Sequence, residues 1–81
     1  MSFLDIPRGV RIIEHNSFLH CLGLTTVFLS QDQEFIGAYA FSLCTQLKAI
    51  FIPSSVRDIA KGAFDGCRNL SVVVFEGSQL I

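Results

Sequence analysis

At 81 residues the chain has room for one small domain, since domains run to about 100–150 residues and chains near 60 are already marginal; a two-domain enzyme is excluded. It is 51% hydrophobic and 16% charged, against roughly 25% charged in an average globular protein, which rules out a disordered chain. A net charge of −1 supplies neither a basic stripe for nucleic acid nor a polybasic patch for anionic lipid.

No apolar stretch approaches the roughly 18 residues that a membrane span needs. The opening Met1-Ser2-Phe3-Leu4-Asp5-Ile6-Pro7-Arg8 lacks a basic start followed by an apolar run, so no export signal is read in it. The expectation is a soluble chain with no nucleic-acid partner and no membrane insertion, either on its own or as a fragment of a longer array.

In chain order, Ser2 to Ile6 reads as a strand and Pro7-Arg8-Gly9 as a turn, proline setting φ and small residues tolerating the bend. Val10 and Ile13, three apart, face a core from either a second short extended segment or one turn of helix. Phe18-Leu19-His20-Cys21 follows, and then Leu24-Thr25-Thr26-Val27-Phe28-Leu29, whose β-branched and aromatic content is strand chemistry. From there the chain repeats itself.

Phe18, Cys21 and Leu24 return as Phe41, Cys44 and Leu47 and again as Phe64, Cys67 and Leu70, at an interval of 23. Val27, Ile50 and Val73 keep that interval, as do Leu29, Ile52 and Phe75, and Ile13, Ile36 and Ile59. A fixed period of this length means a solenoid, in which each coil buries its apolar face only against its neighbours. Ala40 to Cys44 and Ala63 to Cys67 read as the convex side, with Phe and Cys on one face of a helical turn. The predicted fold is an α/β-type solenoid of about three and a half coils, mostly β, with a parallel strand ladder and short helical or 3-10 turns. It forms one domain over 1–81, with coils near 6–28, 29–51 and 52–74, a partial strand at 1–5 and a tail at 75–81.

The run from Ile52-Pro53-Ser54-Ser55-Val56 through Ile59, Ala63-Phe64 and Cys67 to Leu70 resembles the BspA-like class of leucine-rich repeats, I-P-x-x-V-x-x-I-x-x-x-A-F-x-x-C-x-x-L. The resemblance covers nearly the whole chain. It departs at Ser17, where Ala is usual, and at Ser30 and Gln33, which replace Pro and Val and point to a looser middle coil. The resemblance implies binding of other proteins or adhesion at a cell surface, with no catalysis and no cofactor.

Residues that would carry other chemistry read as structural. Cys21, Cys44 and Cys67 follow the period, whereas zinc ligands come paired at two to four residues; they form a buried column of reduced thiols, because stacked parallel Cβ vectors disfavour a disulfide dihedral. His15 and His20 do not recur in the other coils and read as exposed, so no Cys21–His20 nucleophile pair is assigned. Asn69-Leu70-Ser71 fits the glycosylation sequon by chance, Leu70 being a core position. No catalytic, metal or cofactor residue is predicted.

Strand alternation turns Val27 and Leu29 inward and Thr26 and Phe28 outward. Stacking then lines up Phe28, Phe51 and Val74 on the open face of the ladder, beside Thr26, Ala49 and Val72, with Phe3 completing that second column. An exposed apolar patch of this kind marks a contact surface, and these seven residues are the predicted site for a protein ligand. The alternative is a structural spacer or assembly segment that stacks end to end: neither the opening strand nor the closing Gln79-Leu80-Ile81 carries the polar cap of a finished solenoid, which predicts self-association.

Overall fold

The computed structural model describes residues 2–76. Among them the chain winds as a coil of short strands: β1 (Ser2–Asp5), β2 (Ile12–Ile13), β3 (Leu24–Phe28), β4 (Phe35–Ile36), β5 (Ala49–Ile52), β6 (Asp58–Ile59) and β7 (Val72–Phe75). They pair in parallel as two separate ladders, β1-β3-β5-β7 and β2-β4-β6. The pairings Val27 with Ile50 and Ile50 with Val73, like Ile13 with Ile36 and Ile36 with Ile59, reproduce the 23-residue step. β1 joins in the same register after an irregularity between Ser2 and Phe3. The second piece of each coil, for which spacing allowed strand or helix, is extended.

The helical turns expected on the convex side are not there; among the described residues the chain has no helix, and the fold is a β-solenoid of about three turns, not α/β. The reason lies in the backbone. Asn16, Tyr39 and Gly62 have φ of 60°, 58° and 69°, and His20, Leu43 and Gly66 have φ of 63°, 62° and 78°. Two left-handed positions four residues apart thus recur in every coil, and a right-handed helix cannot run through either. They let alternate N–H groups point out of the coil. Phe18 and His20 donate to the carbonyls of Ala40 and Ser42 at 2.8 Å, while Phe41 and Leu43 donate to those of Ala63 and Asp65 at 2.8 and 2.7 Å. The intervening Leu19, Cys21, Ser42 and Cys44 donate within their own coil, to the residue three earlier. The turns are therefore a third hydrogen-bonded ladder between coils.

Glycine is the residue that holds such φ values without steric cost, and two of the six positions have it. The Tyr39 ring occupies the space a Cβ at Gly62 would need, and Leu43 Cδ2 lies 2.7 Å from the Cβ position at Gly66. Each side chain on the middle coil thus covers a bare backbone on the next.

The core is concentrated in the middle coil, which has a neighbour on both sides. Ile36, Phe41, Cys44, Leu47 and Ile50 are fully buried there, as is Val27 on the strand just before it. Phe18, Phe41 and Phe64 stack, with centroids 5.1 and 5.6 Å apart and planes within 8° and 5°. Ser30 and Gln33, expected to loosen this coil, are also fully buried. The Ser30 hydroxyl accepts the Asp32 N–H at 3.0 Å, and its carbonyl accepts the Gln33 N–H at 3.0 Å, so a local side-chain turn takes the place of proline. Gln33 makes one long side-chain bond, Nε2 to the Phe35 carbonyl at 3.4 Å, and its Oε1 has no hydrogen-bond partner. The closing Gln79-Leu80-Ile81 lies outside the described residues.

Candidate binding surface

The long ladder has one face on the core and one open to solvent. Its register brings the predicted residues together as two columns. Phe3, Thr26, Ala49 and Val72 form one, and Phe28, Phe51 and Val74 the other. Phe28 and Phe51 stack at 4.9 Å with planes 5° apart, and Phe3 meets Phe28 edge-on at 6.2 Å and 86°, so three rings form one continuous strip across the columns. Phe3 is 66% exposed, Phe28 39%, Val72 44% and Val74 36%, while Thr26, Ala49 and Phe51 are half-buried. Stacking shields the ring faces and leaves the edges outward. The aromatic end lies over β1, β3 and β5, and the aliphatic end over β7.

Asp5 heads the Phe28 column, a placement that the 23-residue step contains but that was not read as part of the site. Beside it, Asp5, Ile6, Pro7, Arg8, Phe28, Leu29 and Gln31 line a shallow recess of about 460 Å³. Among the described residues the ion pair is Arg11 with Glu34, 3.1 Å apart on the surface; Asp5 and Arg8 make no side-chain bond there. The strip thus ends in one free carboxylate and one free guanidinium.

Two of the thiols and one of the imidazoles bond from coil to coil. The Cys44 thiol donates to the Phe18 carbonyl at 3.2 Å and the Cys67 thiol to the Phe41 carbonyl at 3.0 Å. All three cysteines are free; Cys44 is buried, and Cys21 and Cys67 are half-buried, so the column is less uniformly buried than its period implies. Burial pushes the Cys44 thiol up to about 11 and raises that of Cys67 as well. The folded chain therefore holds the Cys44 proton where the unfolded chain releases it. This contribution to stability is intact below the ordinary thiol range near 9 and is lost as pH climbs from there through about 11. At pH 8 a disulfide reagent should label Cys44 only at the rate of unfolding, the thiolate being the reactive form, whereas Cys21 reacts with the folded chain. Rapid labelling of Cys44 in the native state would show the assigned packing to be wrong.

His15 and His20 are exposed. His15 Nδ1 accepts the Ala38 N–H at 3.0 Å, a coil-to-coil bond with no signal in the sequence, and His20 occupies a left-handed position. The Cys21 side chain packs against the core. Asn69 is exposed and its Nδ2 donates to the Thr45 carbonyl at 2.7 Å. Among the described residues no group of three His, Cys, Asp or Glu side chains is placed to hold a metal ion, and no helix is long and apolar enough to cross a membrane.

The family model described as the BspA type leucine rich repeat region, of six copies, matches residues 1–80. The chain belongs to this family. The BspA-type coil accounts for the Phe and Cys columns and for the I-P-S-S-V segment at Ile52–Val56 alike. Among solved structures, a leucine rich cell surface protein from Faecalibacterium prausnitzii A2-165 is 24% identical, with a TM-score of 0.49. The alignment covers 95% of this chain and 32% of that one, so the BspA-type chain spans about a third of its length. No curated protein matches the chain.

Proposed function

We propose that this chain is a non-catalytic protein-interaction module that takes a protein ligand on the open face of the long ladder, through Phe3, Phe28 and Phe51 with Thr26, Ala49, Val72 and Val74 around them. The observation that carries the reading is the continuous strip of three rings on the solvent side. Aromatic groups are enriched at the cores of protein interfaces and charged ones depleted, and a rigid parallel ladder pays little ordering entropy on binding. Asp5 and Arg8 supply a polar rim at one end. The proposal extends to display at a cell surface and a use in adhesion, as the repeat type implies.

The double substitution Phe28→Ser with Phe51→Ser tests it, with Leu19→Ser and Leu22→Ser as control. The control residues are apolar and exposed, at 42% and 50%, but lie outside the strands. Partners cross-linked to the wild-type chain in cells should be retained by the control and lost from the strand-face variant, by about 30-fold or more if the rings act as hot spots. Circular dichroism checks that both variants fold. Equal capture by all three chains sinks the assignment.

A further inference from the structure

We propose that Asn69 is an N-glycosylation site, its side chain carrying an oligosaccharide transferred from a lipid carrier. This rests on the reading of the chain as part of a cell-surface protein, since the transfer is made to exported chains.

The triplet Asn69-Leu70-Ser71 has serine two residues after asparagine and no proline between them, as the acceptor requires. Leu70 is the core position that speaks against the triplet in the sequence; in the fold it is what opens it. Leu70 packs half-buried against the core, while Asn69 and Ser71 on either side of it are exposed. The triplet lies in the turn that leads into β7. Main-chain bonds fix it there, the Leu70 N–H to the Cys67 carbonyl at 3.1 Å and the Ser71 N–H to the Lys48 carbonyl at 3.0 Å. An exposed turn between fixed elements carries a bulky, solubilising group without disturbing the packing.

This exposure does not depend on what is stacked beyond the third coil. One and two steps back along the repeat stand Gln46 and Gly23; each has a coil on its far side, and both are exposed. Asn69 also leans toward the second coil, its Nδ2 donating to the Thr45 carbonyl at 2.7 Å. The column holds Gly23, Gln46 and Asn69, so the coil itself does not demand asparagine there. The rings of Phe3, Phe28 and Phe51 lie on β1, β3 and β5, whereas Asn69 precedes β7, so the sugar is attached at the aliphatic end of the open face and not among the rings.

The step is a glycosyl transfer. Asn69 Nδ2 forms a bond to the anomeric carbon of an oligosaccharide held on a polyprenyl pyrophosphate. The bond from that carbon to the pyrophosphate oxygen breaks, its electron pair leaves with the pyrophosphate, and Nδ2 gives up one proton. The product is a secondary amide with one N–H, the number that the bond to Thr45 uses.

The test is mass spectrometry of the protein isolated from the cells that make it, treated with and without peptide N-glycosidase in heavy-oxygen water. Biotinylation of intact cells runs in parallel. The peptide that holds Asn69 should carry hexose and N-acetylhexosamine, and the glycosidase should turn that asparagine into heavy-labelled aspartate. Ser71→Ala keeps the Asn69 amide and its bond to Thr45 but should lose the sugar completely; Ser71→Thr keeps the hydroxyl and should retain it. Unmodified Asn69 on a protein that biotin reaches overturns the proposal and leaves the surface reading standing. Unmodified Asn69 on a protein that biotin does not reach overturns both. Sugar retained by Ser71→Ala also overturns the proposal, because the modification would then be independent of the triplet.

Discussion

Replacing Phe41 by alanine is expected to lower stability by about 3–5 kcal/mol, the range for deleting a buried aromatic ring. Phe41 is fully buried and lies between Phe18 at 5.1 Å and Phe64 at 5.6 Å, so its loss opens a cavity between two coil joints at once. The backbone around it cannot close the gap. Phe41 donates to the Ala63 carbonyl and the Ala40 carbonyl accepts from Phe18, each at 2.8 Å, and these bonds hold the coils at their spacing. Domains are stable by only about 5–15 kcal/mol, and three coils are near the minimum for a solenoid, so this variant should melt at far lower urea than the wild type. Phe51→Ala is the comparison: that ring also stacks, with Phe28 at 4.9 Å, but on the solvent side, and it should cost much less. Urea titration followed by circular dichroism measures both. Similar losses for the two would mean that the turn-side ring stack does not carry the core.

The period was readable because a solenoid writes each core contact three times. Val27, Ile50 and Val73 sit in one column of the structure because they sit 23 apart in the chain, and the open face followed by alternation, down to the Phe28–Phe51 pair. What repetition does not reveal is backbone conformation. The left-handed columns are occupied by Asn16, Tyr39 and Gly62 and by His20, Leu43 and Gly66, six residues with no shared side-chain chemistry, and the glycines that betray the conformation stand in the third coil. Read through Phe41 and Cys44 alone, the spacing of three mimics a helical turn; the N–H groups in fact alternate between their own coil and the next. Position in the stack is equally invisible to the pattern. Val73 and Phe75 match buried columns yet are exposed, because burial in a solenoid is conferred by the neighbouring coil and not by the residue. Asp5 shows the converse, a charged residue in the register of the aromatic column, where the other coils carry apolar ones.

Gly37→Ala should destabilise the chain by about 1–3 kcal/mol, the cost of overpacking a close contact, although the general effect of the exchange has the opposite sign. Alanine restricts the unfolded chain more than glycine and stabilises by about 0.4–1 kcal/mol wherever the native backbone accepts it. At Gly37 a Cβ would lie 2.7 Å from each of three main-chain atoms of the first coil, Ile13 O, Glu14 C and His15 N. A side chain could rotate away from the methyl group; these atoms cannot move unless the coils part. Parting them strains the Gly37 N–H bond to the Ile13 carbonyl at 2.8 Å and the Ala38 N–H bond to His15 Nδ1 at 3.0 Å, both on the edge of the short ladder. Gly23 is the control, since the nearest atom its Cβ would meet is Ser2 Oγ at 3.9 Å; Gly23→Ala should be neutral or stabilising. The two urea midpoints should move in opposite directions from the wild type. If Gly37→Ala also rose, the first two coils would lie further apart at this point than the 2.7 Å approach requires, and the close packing of β2 on β4 would have to be abandoned.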